Sequence, residues 1–270
     1  MNEYSECDHV STASRRDVER DVVAVHLFHP RQVKVVEQLL GLAFYLLGLV
    51  KAHAVNDVGI IQLAVYGHTC GENYEIPDAC EVRRIGIEAE EAMLKATGGV
   101  NTHRGALFSM GLTALAAAWC ASRDERIGSK QLRELIMQVA GQFSPTAGTH
   151  GNNAVNAHRV TGALDLAKAG YPQLFNEWLP AYQGFLADDA STAPHRLLLL
   201  IMSQLDDTNV IHRVGYDQAQ QVKREARKLL DNYTEQAMLQ MNRDYIARNI
   251  SPGGSADMVA LTIFIHSILN

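Results

Sequence analysis

Three short polar islands interrupt an otherwise apolar, helix-forming sequence, and each carries residue types that can do chemistry. The first is GGVNTHRG at residues 98–105, the second DDTNVIHR at 206–213 and the third RNISPGGSAD at 248–257. In the first and third, paired glycines lead into a helix-forming run. Glycine lets a backbone come close to a ligand, and the N–H groups at the start of a helix attract anions such as phosphate. Arg104 in the first island and Arg248 beside the third can add charge-assisted bonds to phosphate oxygens. In the second island Asp206 and Asp207 stand beside Asn209 and Arg213. Carboxylate and amide oxygens suit Mg²⁺, a cation that commonly bridges substrate phosphates.

Each island also has a plainer reading. A Gly-Gly pair before a helix is often only a cap, and Asp-Asp-Thr-Asn at a helix end is ordinary turn chemistry. His103 taken alone is more often a hydrogen-bonded structural histidine than a catalyst. None of the islands matches a Walker A or dinucleotide fingerprint. The residues alone therefore support a helical protein with a candidate phosphate site.

The elements around the islands read as helices. Apolar helical patterning runs from about Gln32 to Val50 and again from Val58 to Val65, with a polar break at Asn56–Asp57 between them. Residues 67–78, GHTCGENYEIPD, read as a loop because they hold two glycines and a proline. Helices are expected at 79–96, from a cap at Asn101 or Thr102 through Trp119, and at 129–142, 158–169, 173–187 and 196–205. One long charged helix is expected over 217–248, and an apolar one closes the chain to Leu269. No period-two run of β-branched residues persists, so the fold class is all-α, a single multi-helix globular bundle. Residues 1–21 read as a polar, loosely ordered N-terminus, and 22–270 as one helical domain.

Composition narrows the partners. A formal net charge of −6 argues against nucleic acid or an anionic membrane. The longest apolar run, Leu39–Val50, is too short to span a bilayer, and residues 1–21 lack a signal peptide's apolar core. Cys7, Cys70, Cys80 and Cys120 are scattered, which predicts no disulfide framework and a cytoplasmic protein. The apolar stretches 39–50 and 258–269 are candidate faces for a homodimer.

Taken together and in this order, the words GGVNTHRG, DTNVIHR and RNISPGGSAD resemble those of triphosphoribosyl-dephospho-CoA synthases. The likeness extends through IGIEAEEAMLKATGGVNTHRGALFSMGL and Gly170-Tyr171-Pro172, and covers residues 83–268. The resemblance implies ATP and 3′-dephospho-CoA as substrates. The 2′-hydroxyl of the dephospho-CoA ribose attacks the anomeric carbon of the ATP ribose and adenine leaves. The product is the precursor of the prosthetic group on the acyl carrier subunit of citrate lyase or malonate decarboxylase.

By the same resemblance, Asn101, His103, Asp207, Asn209, Arg213, Ser251, Gly253, Gly254 and Asp257 form the site. His103, Asp207 and Asp257 are candidates for the general base. Arg104, Arg213 and the amides of Gly253, Gly254 and Ser255 are candidates for holding the triphosphate, with Mg²⁺ as the expected cofactor and Asp207 as its candidate ligand. Three departures from the family pattern accompany this. An N-terminal Lys-Pro-Gly-Leu-Val-Asp element is lacking; Leu164 and Leu166 stand where the family has Arg and Glu; and Arg213-Val214-Gly215 replaces Arg-Gly-Gly. They leave open a nucleotide-binding homologue without catalysis, or a hydrolase of an N-glycosidic bond.

Overall fold

A computed structural model of the chain describes residues 53–96, 98, 104–123, 126–144 and 160–270. These form eleven α-helices and one π-helical turn, with no strand among them, as the patterning predicts. The expectations for 1–21 and for the helix over 32–50 lie outside the described residues, as do Asn101, Thr102 and His103 of the first island.

The centre of the fold is a helical pair, α1 (His53–Glu72) and α3 (Arg104–Ala121), flanked by α2 (Ala79–Ala96). Helix α3 is apolar on nearly every side, and Met110, Leu112, Leu115, Ala116 and Ala117 are all buried. A helix without a polar face must be enclosed by others. α1 does not break at Asn56–Asp57, and it continues past Gly67 and Gly71 to Glu72, where a loop is expected. The glycines there serve close packing rather than a turn. A Cβ on Gly67 would lie 2.2 Å from the Leu115 carbonyl oxygen, and one on Gly71 2.6 Å from that of Trp119.

Helix α4 (Ser129–Gly141) adds Leu132, Leu135, Ile136, Val139 and Ala140 to the core, one stripe at helical spacing. Then come the short α5 (Ala163–Lys168), a π-helical turn (Leu174–Trp178), α6 (Leu179–Asp188) and α7 (Ala193–Gln204). α7 explains the uninterrupted run RLLLLIM. Leu197, Leu200 and Ile201 face the main core, while Leu199 and Met202 join a second cluster.

That second cluster lies among α8 (Thr208–Val214), α9 (Tyr216–Asp231) and α10 (Glu235–Ala247), through Val210, Ile211, Val222, Ala226 and Tyr245. The single helix expected over 217–248 is two. α9 stops at Asp231 and Thr234 caps α10, its side chain accepting from the Ala237 N–H at 3.2 Å. A hydroxyl that satisfies a first-turn amide favours a new start over continuation.

The last helix, α11 (Gly253–Leu269), packs on α3, α6 and α7. Met258, Leu261, Phe264 and Ile265 of its apolar stretch are buried in the chain's own core. Cys70 and Cys120 are buried free thiols. No helix among the described residues is long and apolar enough to cross a membrane.

Two glycine substitutions separate packing from helix propensity. Gly67→Ala drives a methyl into the α3 backbone and should cost about 1–3 kcal/mol of unfolding free energy, as overpacking does. Gly86→Ala in α2 meets nothing within 4 Å and should stabilise by about 0.5–1 kcal/mol. Urea denaturation of both variants checks the pair, and equal effects would contradict the α1–α3 packing argument.

Candidate functional site

Asp207 ends the turn after α7 in extended backbone, φ −69° and ψ 107°, and is the N-cap of α8. Its Oδ1 accepts from the backbone N–H of Asn209 at 2.9 Å and of Val210 at 3.4 Å. An aspartate that accepts the first free amides of a helix is a standard cap. The same carboxylate caps a second helix. The Gly254 N–H donates to Oδ1 at 3.3 Å, and the Ser255 N–H and Oγ donate to Oδ2 at 2.8 and 2.9 Å.

α11 has no cap of its own, since Pro252 occupies the N-cap position and no local side chain bonds its amides. Ser251, just before it, is half-buried and makes no capping bond. Asp207 is only 6% exposed, and the positive ends of two helices converge on it. Gly253 and Gly254 permit the approach. A Cβ on Gly254 would lie 3.0 Å from Asp207 Oδ1, and one on Gly253 2.9 Å from Asn209 Nδ2.

Asp257 lies one turn further along α11. Its Oδ2 faces the first turn of α3, where a Cβ on Gly105 would be only 2.1 Å away. Gly105 is the last residue of the first island, so all three islands meet here. The carboxyl of Asp257 is pushed up to about 7, by burial first and by the charge of Asp207 second. A carboxyl that changes protonation near neutrality can take or give a proton under working conditions.

The other sequence-derived candidates separate. Asn209 and Arg213 are exposed on α8, and the Arg213 Nη1 donates to Asn249 Oδ1 at 3.2 Å. Arg248 faces away, bonded to Glu225 of α9 at 2.9 Å and lying 5.5 Å over the Tyr245 ring, so it is not positioned as a phosphate ligand. Asp206 accepts from Lys223 at 2.8 Å. Asn101 and His103 are not described, and Arg104 is described only as the first residue of α3.

Two of the expected ligand groups are already bonded within the chain. The amides of Gly254 and Ser255 already serve Asp207, so of the three glycine and serine amides only that of Gly253 lacks a partner among the described residues. Asp207 itself receives five donated bonds, two of them long at 3.4 and 3.3 Å, so most of its acceptor capacity is used within the chain. The described residues hold no group of three or more His, Cys, Asp or Glu that could bind one. Two contributors escape the sequence reading, Gly105 and Asn249. Both lie inside the islands, but their neighbours are far away in sequence.

Comparison with known proteins agrees with the motifs. The family model CitG, ATP:dephospho-CoA triphosphoribosyl transferase, matches residues 62–270. A probable 2-(5″-triphosphoribosyl)-3′-dephosphocoenzyme-A synthase of Pectobacterium carotovorum is 35% identical over 98% of this chain and 92% of its own length. The similarity thus reaches well beyond the islands and into the N-terminal third. A 2-(5″-triphosphoribosyl)-3′-dephosphocoenzyme-A synthase of Pectobacterium atrosepticum is 39% identical over 80% of this chain and 79% of its own. One from Klebsiella pneumoniae is 33% identical over 69% and 67%. No solved structure matches.

The two carboxylates respond oppositely to amidation. Asp207→Asn turns an N–H₂ toward amide donors at two helix starts and should cost about 2–4 kcal/mol in urea denaturation, the worth of two lost caps. A loss under about 1 kcal/mol would contradict the double cap.

Asp257 keeps its proton in the folded chain up to about pH 7, whereas the unfolded chain releases it near the ordinary carboxylate value. Between those pH values the unfolded state binds fewer protons, so stability falls as pH rises, and the penalty is complete above 7. Asp257→Asn should therefore be more stable than the parent at pH 8, with the difference shrinking toward pH 4. Melting temperatures across that range measure it.

Proposed function

This chain belongs to the ATP:dephospho-CoA triphosphoribosyl transferase family, and from that premise we propose that it transfers the triphosphoribosyl group of ATP to 3′-dephospho-CoA at the island junction. Adenine is released, and the product serves as the prosthetic-group precursor for the acyl carrier subunit of citrate lyase or malonate decarboxylase. The observation that carries the assignment of the site is the meeting of the three islands through Asp207, Asp257 and Gly105.

In this reading the bond from the ATP ribose anomeric carbon to adenine breaks as the 2′-hydroxyl oxygen of dephospho-CoA bonds to that carbon. Asp257 takes the hydroxyl proton, and its carboxylate faces the cationic character that develops at the sugar. Adenine leaves with the bonding pair and takes up one proton, and Asp257 releases the one it accepted, so the protons balance. Asp207 acts by position, holding the starts of α8 and α11 together.

Arg213, the Gly253 amide and Asn209 are the groups assigned to the retained triphosphate, with Asn101 and Arg104 of the first island as further candidates and His103 as an alternative base. Ser251 sits in the loop that leads into this face. Mg²⁺ bound to the triphosphate would neutralise part of its charge, and Asn209 is the oxygen ligand that the second island would offer it. ATP and a CoA precursor are intracellular compounds, so the enzyme works in the cytoplasm, with neither membrane nor nucleic acid as partner.

Leu164 and Leu166 bear on the alternatives. Leu166 packs against the main core with α5, so an apolar residue there is accommodated as part of the fold. That favours a working transferase over a homologue that has lost its reaction.

Incubation with ATP, Mg²⁺ and 3′-dephospho-CoA, followed by mass spectrometry, should give free adenine and the triphosphoribosyl adduct together, and EDTA should suppress both. Adenine without adduct would mean a hydrolase, and neither product would sink the enzyme reading. Asp257→Asn should lower turnover by about 10²–10⁴-fold, as loss of a general base does. In the parent, kcat/KM should rise with pH and level off above about 7, because the base must be deprotonated.

A further inference from the structure

Asn249 sits two residues beyond the end of α10, after the cap residue Arg248, with φ 56°, in the left-handed region. Its N–H donates to the Ile246 carbonyl at 3.1 Å and the following Ile250 N–H to that of Tyr245 at 2.8 Å, which closes the helix end. Glycine is the residue best suited to that backbone position, and asparagine is the common second choice. The asparagine side chain here has a use that glycine lacks. Its Oδ1 accepts from Nη1 of Arg213, on the last turn of α8, at 3.2 Å.

Asn249 is firmly held on both sides. Ile250 is buried in the second cluster, and Arg248 is fixed to Glu225 of α9. Arg213 makes no ion pair among the described residues, so a neutral amide oxygen orients its guanidinium without cancelling its charge. A guanidinium held this way stays fully available to an anion, and less side-chain freedom is lost when the anion binds.

We propose that Asn249 is a positioning residue for substrate binding, and that its amide oxygen pre-orients Arg213 toward the triphosphate of ATP. The proposal rests on the reading of Arg213 as a triphosphate contact, and the test separates the two. The full-length chain is compared as Arg213→Ala, Asn249→Gly and the double variant. KM for ATP, kcat, inhibition by inorganic tripolyphosphate and the unfolding midpoint are measured for each.

Arg213→Ala should weaken ATP and tripolyphosphate about 10–100-fold, the range for bonds to a charged group. Asn249→Gly keeps the backbone conformation, so the unfolding midpoint should not fall. It should nevertheless weaken both ligands about fivefold, the worth of one hydrogen bond, with kcat within about twofold. In the Arg213→Ala background it should add nothing.

If Arg213→Ala weakens tripolyphosphate but Asn249→Gly does not, the proposal is overturned and the reading of Arg213 stands. The same penalty for Asn249→Gly with and without Arg213 would also overturn it, by showing that Asn249 acts on its own. No effect from Arg213→Ala would remove the reading of Arg213 and the proposal together.

Discussion

A single buried carboxylate, that of Asp207, organises the junction. Moving a charge out of water is costly unless it is fully bonded. Here it is bonded by five donors drawn from two helix starts separated by more than forty residues of chain. α8 gains a cap from its own N-terminus, and α11, which begins at a proline with no cap of its own, borrows the same one. The two helices are thereby fixed end to end, and every group carried on their first turns inherits that register.

Asp257 is the group that gains most from this register. One turn into α11, it is pressed against Gly105 at the start of α3, in a partly desolvated place beside a second carboxylate. Neither feature favours the folded state, which is the pattern expected where a fold gives up stability to hold a reactive group. The carboxylates divide the work because their surroundings differ. Asp207 is surrounded by donors, whereas Asp257 is offered burial and a like charge.

The scaffold behind the junction is built from close helix packing. α3 has almost no polar face, and α1 approaches it along glycines whose missing side chains would otherwise strike its backbone. This rigid pair presents Gly105 to α11. α7, whose run Leu197–Met202 feeds both clusters, separates the main core from the cluster that supports α8, α9 and α10. The leucine at 166 belongs to this scaffold, so a departure from the family's polar pattern is taken up as core packing.

The sequence by itself determined the all-α class, most helix positions, the three islands and the family they resemble, because periodicity, capping and short motifs are local properties. Its errors were local conflicts, one resolved by a distant backbone and the other by a nearby cap. Gly67 and Gly71 carry turn chemistry in sequence but lie in a helix, because the backbone of α3 rewards a missing side chain. The charged run over 217–248 is continuous in pattern but broken in space, where Thr234 caps a new start.

The tertiary structure alone decided how the islands divide their roles. Asp207, Asn209 and the amides of Gly254 and Ser255 all appeared equally available to a ligand in sequence. Folding joins Asp207 to those two amides, 47 and 48 residues away, and leaves Asp257, Arg213 and the Gly253 amide for other partners. Arg248 and Arg213 look alike as phosphate ligands until one is paired with Glu225 and the other is held by Asn249. No local pattern encodes such pairings, because hydrogen-bonding capacity is filled by whichever groups the packed core brings within about 3 Å.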